Sequence, residues 1–255
     1  MQLLGCIDSL MLPLGVAHDY TPIVLASFAA CWLVFGSSYA TFSQLEKKQR
    51  VQAAQHVAGL LHAIAVCAQV GYFLSSAEAE PLRKDLYGSS AVAQRACAVS
   101  VGFFLYDIAW GVIEANWQYL LHGGLCSLIF IFCLHPFLLY IGSIMLAFEL
   151  SSIPYNIRML MIQFGAGRGA LYDLVQVAFA LSFLGVRLGV GLPASFYWWL
   201  DMLDLLRSGK AHSTHICYFF LTANLLLNGL NLFWARGIVN KILRALGAPA
   251  KPKAT

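Results

Sequence analysis

Repeated apolar runs close to the length of a bilayer leave this chain few ways to fold. A helix needs about 20 mostly apolar residues to cross the ~30 Å hydrocarbon core of a membrane. Such runs recur along nearly the whole chain, at roughly 21–42, 55–74, 91–112, 119–134, 136–154, 171–192 and 214–234. The expected fold is all-α: a multi-span membrane helical bundle of about seven transmembrane helices. Composition enters as a check. Charged residues make up 11% of the chain, against about 25% in a typical soluble domain. Length is therefore used up by spans rather than by a soluble core. Residues 1–20 read as a short N-terminal lead, 21–240 as one transmembrane domain, and 241–255 as a basic tail.

The net charge of +4 comes from clusters at the span ends. It reads as an orientation signal, with no nucleic-acid footprint. With the 43–54 loop in the cytosol, the cytosolic segments hold ten Lys and Arg residues and the opposite side holds four. The expected topology is N-terminus lumenal and C-terminus cytosolic. The seven cysteines mostly lie in apolar runs without C-x-x-C spacing, so neither a zinc site nor a disulfide framework is expected. Residues 1–20 contain no Lys or Arg, so no cleavable signal peptide is expected.

Polar residues inside spans are the candidate functional groups, because an acid at the centre of a membrane helix costs roughly 2.5–3.5 kcal/mol on insertion scales. Glu149, Ser152 and Asn156 stand at i, i+3 and i+7, so one helical face carries all three. At about 1.5 Å per residue, His62, Asp107, His122, Glu149, Asn228 and Asn231 all fall near the cytosolic ends of their spans. Asn224 shares the face of the last two. Convergence from five helices predicts a common cavity that opens toward the cytosol.

Other signals carry less. Arg187, deep in the sixth span, is read as a snorkelling side chain, with an acid partner as the alternative. Gly185 and Gly189 form a small-xxx-small pair fit for close helix packing. Residues 194–210 mix Phe196, Tyr197, Trp198 and Trp199 with Asp201, Asp204 and Arg207, which reads as an interfacial helix or belt. The Gly165-x-Gly167-x-Gly169 run has no preceding strand and reads as a loop, not a phosphate cradle. His212 and His215 lack a third ligand, so no metal and no cofactor is expected. Ser151 and Ser152 read as hydroxyls that satisfy the backbone.

With these residues placed, the chain resembles the TLC-domain family of multi-span membrane proteins, from about Arg50 to Trp234. The resemblance rests on Leu61-His62-Ala63, Phe104-Leu105-Tyr106-Asp107, Tyr119-Leu120-Leu121-His122, Glu149-Leu150-Ser151-Ser152 with Asn156 and Arg158, and Phe183 to Arg187. The family includes ceramide synthases, translocating-chain-associated membrane proteins, and smaller members linked to membrane lipid composition or endoplasmic-reticulum cargo. Ceramide synthases use adjacent histidines at the start of this fourth span. Here His122 is followed by Gly123, and His-Asp-x-x-Asp is absent. The resemblance is thus to the smaller, non-synthase members.

It implies a protein of the endoplasmic reticulum that binds or handles a membrane lipid or fatty-acyl group and influences lipid homeostasis. Its cavity would be lined by His62, Asp107, His122, Glu149, Ser152, Asn156, Asn228 and Asn231. One alternative is an acyl-CoA-dependent acyltransferase of ceramide-synthase-like type, with His122 as base or acyl acceptor and Glu149 or Asp107 to orient it. A second is an endoplasmic-reticulum cargo receptor. Lys251 and Lys253, third and fifth from the end, resemble a dilysine retrieval signal that would engage a coat protein.

Overall fold

The computed structural model describes residues 20–245. The N-terminal lead, apart from Tyr20, and the lysines at 251 and 253 lie outside the described residues. Nine helices carry the architecture among the described residues: α1 (Thr21–Thr41), α2 (Lys47–Ser75), α3 (Ala91–Ile113), α4 (Trp117–Leu134), α5 (Leu139–Leu146), α6 (Ser152–Gln163), α7 (Ala170–Phe183), α8 (Gly191–Arg207) and α9 (Thr214–Ala245). A short helical turn, Ala79–Leu82, sits between α2 and α3, and no strand is present among the described residues.

Among the described residues, six helices are long and apolar enough to cross a membrane: α1, α2, α3, α4, the continuous run from α7 through α8, and α9. The fifth expected span is a broken one. α5 passes through a 3₁₀ turn, Ala147–Ser151, into α6, which runs to Gln163 rather than stopping near Pro154. Proline is tolerated in a first helical turn, where its missing N–H is an orphan in any case. It withholds the hydrogen bond that would carry α-geometry back across Leu150, and the backbone there tightens instead.

The sixth expected span is also redrawn. α7 enters a π-helical turn, Leu184–Val190, and emerges as α8, so one continuous helix covers Ala170–Arg207. The expected interfacial belt at 194–210 is the second half of this helix as far as Arg207. Ser195 and Trp199 turn inward to α9, while Asp201, Asp204 and Arg207 are exposed: Asn224 and Asn228 each donate from Nδ2 to Ser195 Oγ at 3.1 Å, and Trp199 Nε1 donates to Asn224 Oδ1 at 3.1 Å. The Gly185–Gly189 pair does not mark a close crossing, since a Cβ on Gly185 would meet nothing within 4 Å.

α3 is the core helix, with 67% of its apolar window buried, whereas α1 has 6% and lies at the edge of the bundle. α2 runs antiparallel to α6, so that Gln52 meets Gln163 at one end and His56 meets Asn156 further in. α3 is likewise antiparallel to α4, where Gly111 lies against Leu120 and Gly123 against Phe104. These registers align the start of α2, the α3–α4 link, the end of α6 and the end of α9. They form what we call the near end of the bundle.

Candidate functional site

Two turns that depart from α-geometry build the middle of the site. The 3₁₀ turn points Glu149 and Ser151 inward, and the π turn points Arg187 at them. Arg187 is 7% exposed and does not snorkel. Its Nε donates to Ser151 Oγ at 3.0 Å, its Nη1 to Asn231 Oδ1 at 3.0 Å, and its Nη2 lies 3.8 Å from Glu149 Oε1. The guanidinium also stands 5.2 Å from the ring centre of Phe183 and 5.8 Å from those of Phe148 and Trp234. A buried guanidinium needs both a counter-charge and hydrogen-bond acceptors, and this one has both. Close approach of the two turns depends on Gly191, where a Cβ would fall 2.4 Å from Phe148 Cζ.

Around this pair lie two cavities. The larger, about 450 Å³, extends from the pair to the near end and is lined by residues of α2, α3, α4, α6, α7 and α9. A volume of a few hundred Å³ suits a small-molecule or lipid-headgroup site. The smaller, about 90 Å³, lies on the far side and is walled largely by Ile129, Phe130, Leu146, Phe220 and Leu227. His122, Glu149 and Arg187 line both, so they stand at the junction of a polar chamber and an apolar annex.

The structure brings most of the expected residues together. Asp107, His122, Glu149, Ser152 and Asn156 line the large chamber. Asn228 and Asn231 line the annex with Asn224. Asn156 is held by His56, whose Nδ1 lies 2.9 Å from Asn156 Oδ1, and by its own Nδ2, which donates to Ser152 O at 2.8 Å. Gly59 leaves the room for that side chain, since a Cβ there would come within 3.2 Å of it.

His62 is placed elsewhere. It lines neither cavity; its ring stacks on Phe103 at 3.9 Å with 6° between the planes, and its Nε2 is buried without a hydrogen-bond partner. Its depth matches the other residues, but its helix face looks into the α2–α3 packing.

Three groups in the chamber stand out by what they lack. Asp107 is 8% exposed and has no hydrogen bond or ion pair with any described residue. His122 lies edge-on to Phe104 at 5.6 Å and 5.9 Å from Trp234, and neither ring nitrogen has a hydrogen-bond partner among the described residues. Glu149 has only the long contact to Arg187. Asp107 and Glu149 are buried and His122 is half-buried; polar groups so enclosed without a close partner are costly, so these groups are presented to whatever fills the chamber.

Several lining residues carried no sequence-level signal of a site role, namely His56, Gln55, Tyr119, Tyr155 and Trp234. Trp234 Nε1 donates to Gln118 Oε1 at 2.7 Å, which ties α9 to the start of α4 beside His122. Three residues with cysteine, histidine or carboxylate side chains never gather at metal-binding spacing among the described residues. His212, on the far end, stacks on Tyr87 at 4.2 Å.

The family model described as the TLC domain matches residues 52–240, and the chain belongs to this family. An uncharacterised TLC domain-containing protein of Schizosaccharomyces pombe is 26% identical over 207 residues, which cover 80% of this chain and 69% of that protein. A second, from Saccharomyces cerevisiae, is 24% identical over 207 residues, covering 76% of this chain and 64% of its own length. The chain thus matches about two thirds of the length of these relatives. No solved structure matches it.

Proposed function

We propose that this integral membrane TLC-domain protein holds the polar end of a membrane lipid in the large chamber and acts in membrane lipid homeostasis. The observation that carries the reading is the set of partnerless groups, Asp107 and His122 beside Glu149, in a chamber of about 450 Å³ that borders an apolar annex. An amphipathic guest suits this site: its polar end supplies hydrogen bonds to the chamber, and its apolar end stays against apolar helix surface. The near end is the cytosolic one in this reading, with the N-terminus lumenal. The protein resides in the endoplasmic reticulum, returned there by a coat protein that reads Lys251 and Lys253.

The test is retention. Protein purified through repeated detergent exchange is extracted and its lipid measured by mass spectrometry. One lipid class held near one per chain is expected, and reduced in His122→Ala and Glu149→Gln. Protein that runs as a folded monodisperse species with no lipid sinks the proposal.

A second reading, acyl transfer, is favoured by the open imidazole of His122. An amine or hydroxyl of the acceptor attacks the thioester carbon of acyl-CoA; the new C–N or C–O bond forms as C–S breaks. His122 takes the acceptor's proton and passes it to the departing thiolate. Neither carboxylate hydrogen-bonds to His122, which favours holding over catalysis. Labelled acyl-CoA with a sphingoid base or lysolipid decides it: turnover lost in His122→Ala but kept in His62→Ala establishes the enzyme.

A further inference from the structure

The chamber has a side. One wall is Phe179 and Phe183 of α7, and the opposite wall is Trp234, Gly237, Ile238 and Lys241 of α9. α7 packs on α6 and on the 3₁₀ turn, and it is not packed along α9. These two walls are bridged at their deep end by Arg187, between Phe183 and Trp234, and the gap between them toward the near end is the α7–α9 slot. Lys241 stands seven residues beyond Trp234, about 10 Å further toward the near end at 1.5 Å per residue. Arg158 lines the chamber from α6, with its Nε donating to Gln176 Oε1 of α7 at 3.2 Å and its Nη2 left to meet an anion beside Lys241.

Inside the slot the chemistry changes sign. Asp107 lies level with His122, as the α3–α4 register at Gly123 and Phe104 requires, and His122 lies level with Trp234. Tyr119, Tyr155 and Trp234 share the lining with Asp107, whereas the Tyr106 ring is packed against Trp32 and Trp110. A carboxylate without a counter-ion among aromatic faces is a setting for a desolvated cation, since ring quadrupoles and the acid attract it together. Arg187 does not fill that role for Asp107, because its donors go to Ser151, Asn231 and the Phe148 carbonyl, with Glu149 as its counter-charge.

We infer that the guest is a phospholipid with a zwitterionic headgroup, phosphocholine or phosphoethanolamine, that enters sideways through the α7–α9 slot. Its ammonium sits at Asp107 among the tyrosines and Trp234. Its phosphate meets Lys241 and Arg158 at the rim, and its acyl chains stay in the bilayer outside. The inference rests on the lipid-holding reading above and adds the headgroup class and the route.

The experiment equilibrates the purified full chain in mixed micelles of dioctanoyl phosphatidylcholine, phosphatidylethanolamine, phosphatidylglycerol and diacylglycerol at equal amounts, and counts retained lipid by mass spectrometry. The two zwitterionic lipids are expected to exceed phosphatidylglycerol by about tenfold. Asp107→Asn should erase most of that preference. Lys241→Gln, on an exposed position that leaves the fold intact, should lower retention of all three phospholipids and keep their ratio. Phosphatidylglycerol retained as well as the zwitterionic lipids by the wild-type chain overturns the inference, whether or not Asp107→Asn folds. A preference unchanged in folded Asp107→Asn overturns it as well. Free phosphocholine should compete poorly; competition equal to that of the lipid overturns the side entry. If no lipid of any class is retained, the failure lies with the lipid-holding proposal itself.

Discussion

The two irregular turns at the centre of the bundle depart from the α-helix in opposite directions. Ala147–Ser151 is wound tighter and Leu184–Val190 is wound wider. Each is followed by a proline at the third position of the next helix, Pro154 in α6 and Pro193 in α8. Each also presents one member of the buried pair, Glu149 from the tight turn and Arg187 from the wide one. They are not equally determined. The tight turn is packed against α2, whereas the wide turn packs on the tight turn and on α9, the two elements that Arg187 bonds. Local backbone irregularity is thus spent on aiming two charges at each other across a membrane interior, which π turns often do at functional positions.

The largest effect is expected at the charges that join the two turns. Glu149→Gln leaves Arg187 buried without a counter-ion and should cost about 3–5 kcal/mol, seen as a fall in the thermal midpoint of the detergent-purified protein. The double variant Glu149→Gln/Arg187→Met should recover much of that loss, because a pair removed together leaves no orphan charge. Equal loss in the single and double variants would mean that the turns are held by packing alone.

Smaller effects sharpen the picture. Gly191→Ala drives a methyl into Phe148 and should cost about 1–3 kcal/mol, while its chemical equal Gly185→Ala, facing open space, should stay within about 1 kcal/mol of wild type. Matching losses at both glycines would refute the close approach of the turns. Ser151→Ala removes one acceptor from Arg187 and should cost about 1 kcal/mol. It should also leave the lipid retained by the chamber unchanged in class, as read by mass spectrometry.

How much of this was legible in the sequence follows from what each signal measures. Hydropathy measures length in lipid, and it located the spans because backbone satisfaction forces helices there. Depth along a span is fixed by residue count, so Asp107, His122 and Glu149 could be set at one level before any fold was known. Which face looks inward is fixed by neighbouring helices, and that is where His62 departs: same depth, wrong side. For Arg187 the alternative reading holds, an acid partner in Glu149 rather than the snorkelling common for a cation in a span, and nothing local shows that Ser151 and Asn231 also converge on it. The Gly185–Gly189 spacing suits close packing, but the turn around it opens instead. The aromatic wall of Tyr119, Tyr155 and Trp234 is invisible in sequence, since aromatic residues are as common at membrane surfaces as in chambers.

The unbroken helix from Ala170 to Arg207 has a consequence beyond the site. Its 38 residues extend about 57 Å at 1.5 Å per residue, nearly twice a ~30 Å hydrocarbon core. Such a rod must lean, project, or stretch the lipid beside it. Thickness mismatch carries a small but cumulative energy for every ångström. The surrounding bilayer therefore feels the protein through its girth as well as through any molecule held inside, and membranes of different depth will host it unequally.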